Sequence, residues 1–402
     1  MSYEQVTVQS NSQTLKPTVT DRLTMGYVYP HAPLEIIMAH GLTPTLVRAR
    51  PGIAGAFEAS LQTFACSYTR NLFSQRANDQ MPASSALLFP GNTCDSLLNV
   101  GDIWRVRFPD DIIFRLTYPA ANQGEAAVHY LADELRSLSQ SIEAAFGRPF
   151  SEEEFRDAAG LTRQFRSAAQ FLYAARVVSP QVLRYSKLAA LIHTFLLSPD
   201  QKSANEITNA STQVQRALAR SRLLDSAKKI QEQLIKRHLT PAALPHGAKS
   251  PRIAIAGGMI DPGAIVALFN AAGIPEDALV MDLFSFGFKT VFTPPCEVGR
   301  DPFDSVARSI LASPLEPTQE GLGVRLAFLK DVVTNLAVDG LIVCEQSFCD
   351  PDEFEAPSLE AEASKSGVAV MRLPIDPELS DRERLGVRLQ SFLETISPRS
   401  GR

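Results

Sequence analysis

The sequence predicts an α/β protein with two doubly wound (Rossmann-like) parallel-sheet domains and a helical domain that is inserted between them or bridges them. Short apolar runs alternate with amphipathic helical stretches towards both ends of the 402-residue chain. Between about residues 121 and 240 the strand pattern disappears, and helical periodicity continues alone. With 45% hydrophobic and 21% charged residues, the chain can bury a substantial core.

The first α/β domain is predicted over residues 25–120, after a polar N-terminal arm over residues 1–24. Short apolar strands alternate here with helices in a β-α-β order. The predicted strands are GYVY (26–29), TPTLVRA (43–49), ALLFP (86–90) and DIIFRLTYP (111–119). The predicted helices cover residues 32–41 and the region 57–73, and a third begins within GNTCDSLLNV (91–100).

The helical domain is predicted over residues 121–245, as a series of amphipathic helices. Weak breaks separate these helices, at residues 147–149, 179–180 and 198–199. Ser151 and Ser203 are each followed by a glutamate three residues later, a capping-box pattern that predicts two helix starts. A linker rich in Pro and Gly, LTPAALPHGAKSPR (239–252), follows the last helix.

The second α/β domain is predicted over residues 246–402, because near-continuous apolar runs are typical of parallel strands that are buried on both faces. Its predicted strands are RIAIAGG (252–258), ALVMDLF (278–284), GLIVCEQ (340–346) and GVAVMRLP (367–374), with helices over 262–272, 324–337 and 382–396. The glycines of AGGMIDPG (256–263) lack the GxGxxG spacing. We interpret this segment as a tight strand-to-helix turn that needs small residues, with a nucleotide site as the alternative.

Composition and motifs exclude several functions. The balance of 39 Lys+Arg against 44 Asp+Glu gives a net charge of −5 without blocks of like charge, which argues against nucleic-acid binding. No apolar run is long enough to span a membrane, and the start MSYEQVTVQSNSQ lacks the order of a signal peptide, so we expect a cytoplasmic protein. The GxSxG, GxxxxGK[ST] and HExxH motifs are absent.

The five cysteines are expected to be reduced, because an odd number in a cytoplasmic chain fits a disulfide framework poorly. Metal binding or catalysis is then their expected function, although no C-x-x-C pair is present. Cys94 and Cys349 each follow a predicted strand, where doubly wound domains place ligands. Cys344 lies inside a strand and is interpreted as a small buried hydrophobic residue.

The six histidines show no pair at metal-ligand spacing. His31 and His40 flank the first helix and are the two that we consider able to approach a ligand at the strand ends. His129 and His193 lie within helical patterns and are expected to be structural or surface residues.

Four stretches and a closing helix resemble, in order and approximate spacing, the iron–sulfur subunits of 2-hydroxyacyl-CoA dehydratases and benzoyl-CoA reductases. They are PLEIIMAHGLTP, ACSYTRN, LLFPGNTCDSLLNVGDIWRVRFP, DGLIVCEQSFCDPDEFEAPSL and GVRLQSFLETI. The resemblance covers roughly residues 25–395, with the helical middle as a variable interruption. Its specificity lies in the ordered set of motifs.

The resemblance implies that Cys66, Cys94 and Cys349 bind three irons of a 4Fe-4S cluster and leave one iron without a protein thiolate. Such an open iron can act as a Lewis acid on a substrate oxygen. Cys296 and Cys344 are then packing residues. The alternative is that the three cysteines are unrelated buried residues, and a double-cubane cluster is disfavoured because five cysteines supply too few thiolates.

The resemblance also assigns Glu35, in the P-x-E motif of HAPLEII, to substrate contact or proton transfer. The alternative interpretation is an exposed carboxylate that the helix dipole favours in the first turn. Asp95 and Asp350 each follow a ligand cysteine, and we expect them to cap the following turns.

The family resemblance implies radical chemistry on an acyl-CoA substrate. In a 2-hydroxyacyl-CoA dehydratase, a separate ATP-hydrolysing iron–sulfur activator supplies an electron, a ketyl radical forms, and water is eliminated. Because this chain has no phosphate loop, ATP hydrolysis must belong to that partner, and a homologous second subunit is expected to complete a heterodimer. The alternatives are a benzoyl-CoA (aromatic acyl-CoA) reductase subunit, a non-catalytic electron-relay subunit, and a cluster-free nucleotide-binding protein.

Overall fold

The fold contains two four-stranded sheets in which every strand pair is parallel. The computed structural model describes residues 23–53, 55–241 and 251–396. Most of the predicted polar arm and of the linker over 239–252 lies outside the described residues. Helices alternate with the strands of both sheets, which confirms the predicted α/β fold with two parallel sheets.

The first sheet has the strand order β2-β1-β3-β4. Its strands are β1 (Thr24–Tyr27), β2 (Thr43–Leu46), β3 (Ala86–Pro90) and β4 (Ile113–Leu116), and the helices between them are α1 (Leu34–Ala39), α2 (Ser67–Ala77) and α3 (Asp95–Arg107). Because α2 begins only at Ser67, the first half of the predicted helix over 57–73 is wrong. The Ser67 N–H donates to the carbonyl oxygen of Ser347 at 3.0 Å, so it is not available for a bond to the preceding turn.

The helices of the middle region begin and end near the predicted breaks. They are α4 (Glu125–Phe146), α5 (Glu152–Val178), α6 (Tyr185–Leu197), α7 (Gln201–Arg220) and α8 (Leu224–Lys236). The Ser151 cap is confirmed, because its side chain accepts a hydrogen bond from the Glu154 N–H. The prediction of Ser203 as a cap is wrong, because α7 begins at Gln201 and its cap is Asp200. Ser203 is the third residue of the helix, and its side chain accepts a hydrogen bond from the Asp200 N–H to complete the capping box.

Helix α5 connects the two sheets, because it packs against both α1 and β6. The Tyr173 hydroxyl donates to Asp282 at 2.7 Å. Arg176, near the end of the helix, donates to carbonyl oxygens on the segments that follow α5 and precede β6. Burial lowers the pKa of Arg176 to about 10. Buried polar groups of α5 are thus paired with the second sheet.

The second sheet has the strand order β6-β5-β7-β8. Its strands are β5 (Ile253–Ala256), β6 (Leu279–Leu283), β7 (Gly340–Gln346) and β8 (Ala369–Ile375), and its helices are α9 (Pro262–Ala271), α10 (Pro302–Leu311), α11 (Leu322–Asn335), α12 (Asp350–Lys365) and α13 (Arg382–Ile396). Neither α10 nor α12 is predicted from the sequence. Pro357 lies inside α12, whose composition is rich in acidic residues, and this obscures its helical pattern.

The turn after β5 confirms the need for small residues. A Cβ atom on Gly257 would lie 3.0 Å from the carbonyl oxygen of Cys344, and a Cβ atom on Gly258 would lie 2.7 Å from Oδ1 of Asp352. The glycines therefore allow the end of β5 to approach β7 and the first turn of α12 closely.

Arg48, just after β2, joins the two sheets. Its guanidinium pairs with Asp261 at the start of α9, and its Nε donates to Nδ1 of His193 on α6 at 3.3 Å. Burial, reinforced by the Arg48 charge, lowers the pKa of His193 to about 4. His193 is thus a structural residue, as expected from its helical pattern.

We predict that His193 makes the stability of the protein pH-dependent. In the unfolded chain the pKa of histidine is about 6.5. Between that value and the folded-state value, the unfolded chain binds one more proton, so the free energy of unfolding falls by up to about 3 kcal/mol as the pH drops through this range. Urea unfolding of His193→Gln at pH 7 and pH 4.5 should show a smaller difference than the wild type, with the exposed His129→Gln as matched control. Equal differences in wild type and His193→Gln would contradict the prediction.

Candidate functional site

Cys66, Cys94 and Cys349 line one cavity of about 500 Å³. Each cysteine is the residue immediately before a helix: Cys66 precedes α2, Cys94 precedes α3 and Cys349 precedes α12. Cys94 follows β3 of the first sheet and Cys349 follows β7 of the second, so the carboxyl edges of both sheets meet at this cavity. The structure therefore brings together the three cysteines that were predicted as ligands.

The hydrogen bond from the Ser67 N–H to the Ser347 carbonyl oxygen places the Cys66 loop next to the Cys349 loop. Between Ser347 and Cys349, Phe348 adopts a φ of 59°, a left-handed conformation that is rare for an aromatic residue. Such a conformation costs about 1–2 kcal/mol. The surrounding contacts hold the chain in this conformation and turn Cys349 towards the start of α12.

The amino ends of three helices favour negative charge at this cavity. The first N–H groups of a helix lack partners within it and carry partial positive charge, which stabilises a nearby thiolate. Asp95 and Asp350 occupy the first turns of α3 and α12, because the preceding cysteines hold the cap positions. The prediction that these two aspartates are caps is therefore wrong.

The three thiols differ in acidity. The Cys349 thiol donates a hydrogen bond to the Cys66 sulfur, which lowers the pKa of Cys66 and raises that of Cys349. Burial raises the pKa of Cys94 to about 12, and the N–H groups of Leu97 and Ser96 act in the opposite direction.

The donor set at the cavity consists of three thiols, which are the ligand type that iron–sulfur clusters use. Among the residues that the structure describes, no group of three or more His, Cys, Asp or Glu side chains is arranged to hold one metal ion. In an iron–sulfur cubane each cysteine binds a different iron, so the Cys66 and Cys349 sulfurs, which are hydrogen-bonded to each other here, would separate on binding one. Cys296 and Cys344 do not line the cavity, which leaves three thiols at it.

Three charged residues at the cavity were not identified from the sequence. Arg325 on α11 donates through Nε to both carboxylate oxygens of Glu355 on α12, at 2.9 and 3.1 Å. Asp352 is buried beside them, and burial raises its pKa to about 7. The motif FCDPDEFE places Asp352 and Glu355 close to Cys349 in the sequence, whereas no sequence pattern singles out Arg325.

A second group of buried charges lies behind the cavity wall. The Lys289 ammonium donates to Glu316 at 3.2 Å, and the Ser285 hydroxyl donates to the same oxygen at 2.6 Å. His31 is buried near this pair, and burial lowers its pKa. His40 bonds to the carbonyl oxygen of Arg148 at 2.7 Å and to Ser139 at 2.8 Å. Neither histidine lines the cavity.

Glu35 is also absent from the cavity wall. It is only 2% exposed, so the alternative interpretation of an exposed carboxylate is wrong. Its Oε1 accepts hydrogen bonds from the Thr162 hydroxyl at 2.7 Å and from the Arg166 guanidinium at 3.2 Å, both on α5. In this position Glu35 joins α1 to the helix that connects the sheets, and its role in catalysis stays a prediction.

A family profile described as 2-hydroxyglutaryl-CoA dehydratase, D-component, matches residues 30–396. The chain belongs to this family. Three relatives align with this chain over more than nine-tenths of both chains. The lactoyl-CoA dehydratase subunit beta of Anaerotignum propionicum is 21% identical over 94% of this chain and 92% of its own length.

A benzoyl-CoA reductase subunit of Thauera aromatica is 22% identical over 93% of this chain and 91% of its own length. The (R)-phenyllactyl-CoA dehydratase beta subunit of Clostridium sporogenes is 19% identical over 94% of this chain and 92% of its own length. These relatives are named as subunits of dehydratases and of a reductase, and together with the family profile they confirm the resemblance drawn from the motifs. None of the helices in the described ranges is long and apolar enough to cross a lipid bilayer.

We predict that Glu35→Ala lowers the free energy of unfolding by about 3–5 kcal/mol, because it leaves the Arg166 charge buried without its partner. Urea denaturation measures this change, and Glu206→Ala, at an exposed position on α7, is the matched control. A Glu35→Ala variant as stable as the wild type would show that the Glu35–Arg166 pair has no structural role.

Proposed function

We propose that this chain is the iron–sulfur subunit of a 2-hydroxyacyl-CoA dehydratase, a lyase that eliminates water from a 2-hydroxyacyl-CoA thioester. One observation supports the proposal most strongly. Cys66, Cys94 and Cys349, each at the start of a helix, line one cavity in a chain that belongs to the D-component family. The match to a benzoyl-CoA reductase subunit favours an aromatic acyl-CoA reductase, an oxidoreductase, as the second candidate.

The three cysteines are the residues that would hold a 4Fe-4S cluster. When bound, such a cluster supplies low-potential electron transfer and one iron without a protein thiolate, which is open to a substrate oxygen. The helix amino ends beside Cys66, Cys94 and Cys349 stabilise the negative charge of the thiolates. Arg325 and Glu355, which are bound to each other, also line this cavity and limit the space for substrate.

Partner proteins are part of the proposal. The relatives are named as subunits, and we propose a homologous second subunit and an ATP-hydrolysing iron–sulfur activator as partners in the cytoplasm. Two exposed aromatic residues support a contact surface here: Phe348, which precedes Cys349, is 50% exposed, and Phe354, which lines the cavity, is 82% exposed. Exposed aromatic side chains are enriched where proteins associate. If the chain relays electrons without binding substrate, the same surface would serve that role.

Cysteine variants test the cluster. After anaerobic reconstitution, we expect about four irons per wild-type chain and the absorbance and EPR signals of a cubane. Cys66→Ala, Cys94→Ala and Cys349→Ala should each lower the iron content and alter the EPR signal. Cys296→Ala and Cys344→Ala are the matched controls, since these buried thiols lie outside the cavity, and both should retain the wild-type iron content. A wild-type protein that stays colourless would contradict the proposal.

The reaction is tested with the reconstituted chain, its second subunit, the activator, ATP and a reductant. We expect loss of water from a 2-hydroxyacyl-CoA, followed as formation of the enoyl-CoA by liquid chromatography. Reduction of benzoyl-CoA alone would favour the second candidate. A chain that binds iron but shows no saturable heat with any acyl-CoA in calorimetry would instead be a relay subunit.

A further inference from the structure

The thiols of Cys66 and Cys349 are in direct contact between the two halves of the chain. The Cys349 thiol donates a hydrogen bond to the Cys66 sulfur, so the two side chains face each other. The sulfur of Cys94, the third thiol of the cavity, accepts instead from the N–H groups of Leu97 and Ser96 in the first turn of α3. The cavity therefore includes a contacting pair of thiols and a third thiol with other partners.

Two further contacts hold the loops of this pair side by side. The Ser67 N–H donates to the Ser347 carbonyl oxygen at 3.0 Å. The Arg70 guanidinium, one turn further along α2, lies over the Phe348 ring at 5.5 Å from its centroid. Both contacts come from neighbours of the two cysteines, so the fold itself brings the thiols together. A disulfide requires two side chains that already face each other, as these do.

Solvent reaches one thiol of the pair more easily than the other. Cys349 is partly exposed at the three-cysteine cavity, whereas Cys66 and Cys94 are only 5% and 7% exposed. A dissolved oxidant therefore meets Cys349 first, and Cys66 lies in contact with that sulfur. An accessible thiol with a second thiol beside it is the arrangement in which reversible thiol oxidation occurs.

We propose that Cys66 and Cys349 form a reversible thiol-oxidation site. In the chain without iron, they form a disulfide by exchange with a low-molecular-weight disulfide of the glutathione class. Disulfides that form in a reducing compartment are usually transient and redox-sensing, and this is the role of the Cys66–Cys349 pair. The site lies beyond the proposed function, because the disulfide forms without substrate and only its effect on iron uptake rests on the cluster.

The exchange takes place in two steps. The Cys349 thiolate attacks one sulfur of oxidised glutathione, forms a mixed disulfide with it and releases the first glutathione. The Cys66 thiolate then attacks the Cys349 sulfur, forms the bond between the two cysteines and releases the second glutathione. The protein loses two electrons and two protons, and oxidised glutathione gains both to become two thiols.

The disulfide and a bound cluster exclude each other. Each cysteine of a cubane binds its own iron through a thiolate, so oxidation removes two of the three ligands at once. The bond also joins segments that lie before and after the helical region, and it stabilises the folded chain by restricting the unfolded one. Oxidation therefore keeps the iron-free chain folded, and reduction makes the ligands available again.

Thiol counting on the iron-free full chain tests the site, with oxidised glutathione under anaerobic conditions as the probe. We expect two of the five thiols to be lost. Digestion with trypsin and a glutamate-specific protease should give a peptide that links Cys66 to Cys349, because cleavage after Glu345 separates Cys349 from Cys344. The oxidised chain should take up no iron, and dithiothreitol should restore the uptake.

Single substitutions test the order of the two steps. In Cys66→Ser we expect a stable glutathione adduct on Cys349, because no second thiol is present to release it. In Cys349→Ser the buried Cys66 should carry roughly tenfold less adduct. Cys94→Ala and Cys344→Ala are the matched controls, and both should still form the linked peptide. Equal adducts in Cys66→Ser and Cys349→Ser would overturn the assignment of Cys349 as the first thiol to react.

The outcomes separate the site from the proposed function. Five free thiols after treatment, a linked peptide that contains Cys94, or an oxidised chain that takes up iron like the reduced chain would overturn the thiol-oxidation site. A Cys66–Cys349 link in a protein whose reduced form takes up no iron would support the site and contradict the cluster.

Discussion

One backbone hydrogen bond, from the Ser67 N–H to the Ser347 carbonyl oxygen, fixes the distance between the two halves of the molecule at the place where chemistry is proposed. It ends the irregular segment before α2, begins that helix, and sets Cys66 within hydrogen-bonding reach of Cys349. Nearby, the Asn71 amide donates to Glu378 at 2.9 Å, which adds the loop after β8 to the contact between the two halves. Because these bonds are directional, they specify one arrangement of the sheet edges, which apolar packing alone does less sharply.

Buried polar pairs on α5 also hold the two halves of the chain in one arrangement. Glu35 with Arg166 and Tyr173 with Asp282 connect this helix to both halves of the chain. A buried ion pair contributes little net stability over an apolar pair of the same size, but breaking it is costly. The main effect of such pairs is therefore to fix the positions of α1 and β6. These elements in turn position the strand ends beside the cavity.

The strands were predictable because parallel strands buried on both faces give continuous apolar runs, as in GLIVCEQ, which matches β7 residue for residue. Cys94 and Cys349 followed from the rule that strand ends carry ligands, whereas Cys66 lies a long irregular segment away from β2 and was assigned only through the family resemblance. The burial of Glu35 could not be predicted, since its partner Arg166 lies on another helix far along the chain. The Arg325–Glu355 and Lys289–Glu316 pairs are likewise tertiary contacts that no local pattern encodes.

The cap positions of Cys66, Cys94 and Cys349 have a consequence for maturation. The last of these residues enters the chain only after the whole helical region has been made, so the three thiols can meet only when segments of both sheets are present. A group bound by all three would then act as a non-covalent staple between distant segments and would stabilise the joined state over the separated one. Removal of that group would weaken the contact between the two sheets before either sheet unfolded. Cleavage by a protease at this contact would therefore show whether the group is bound.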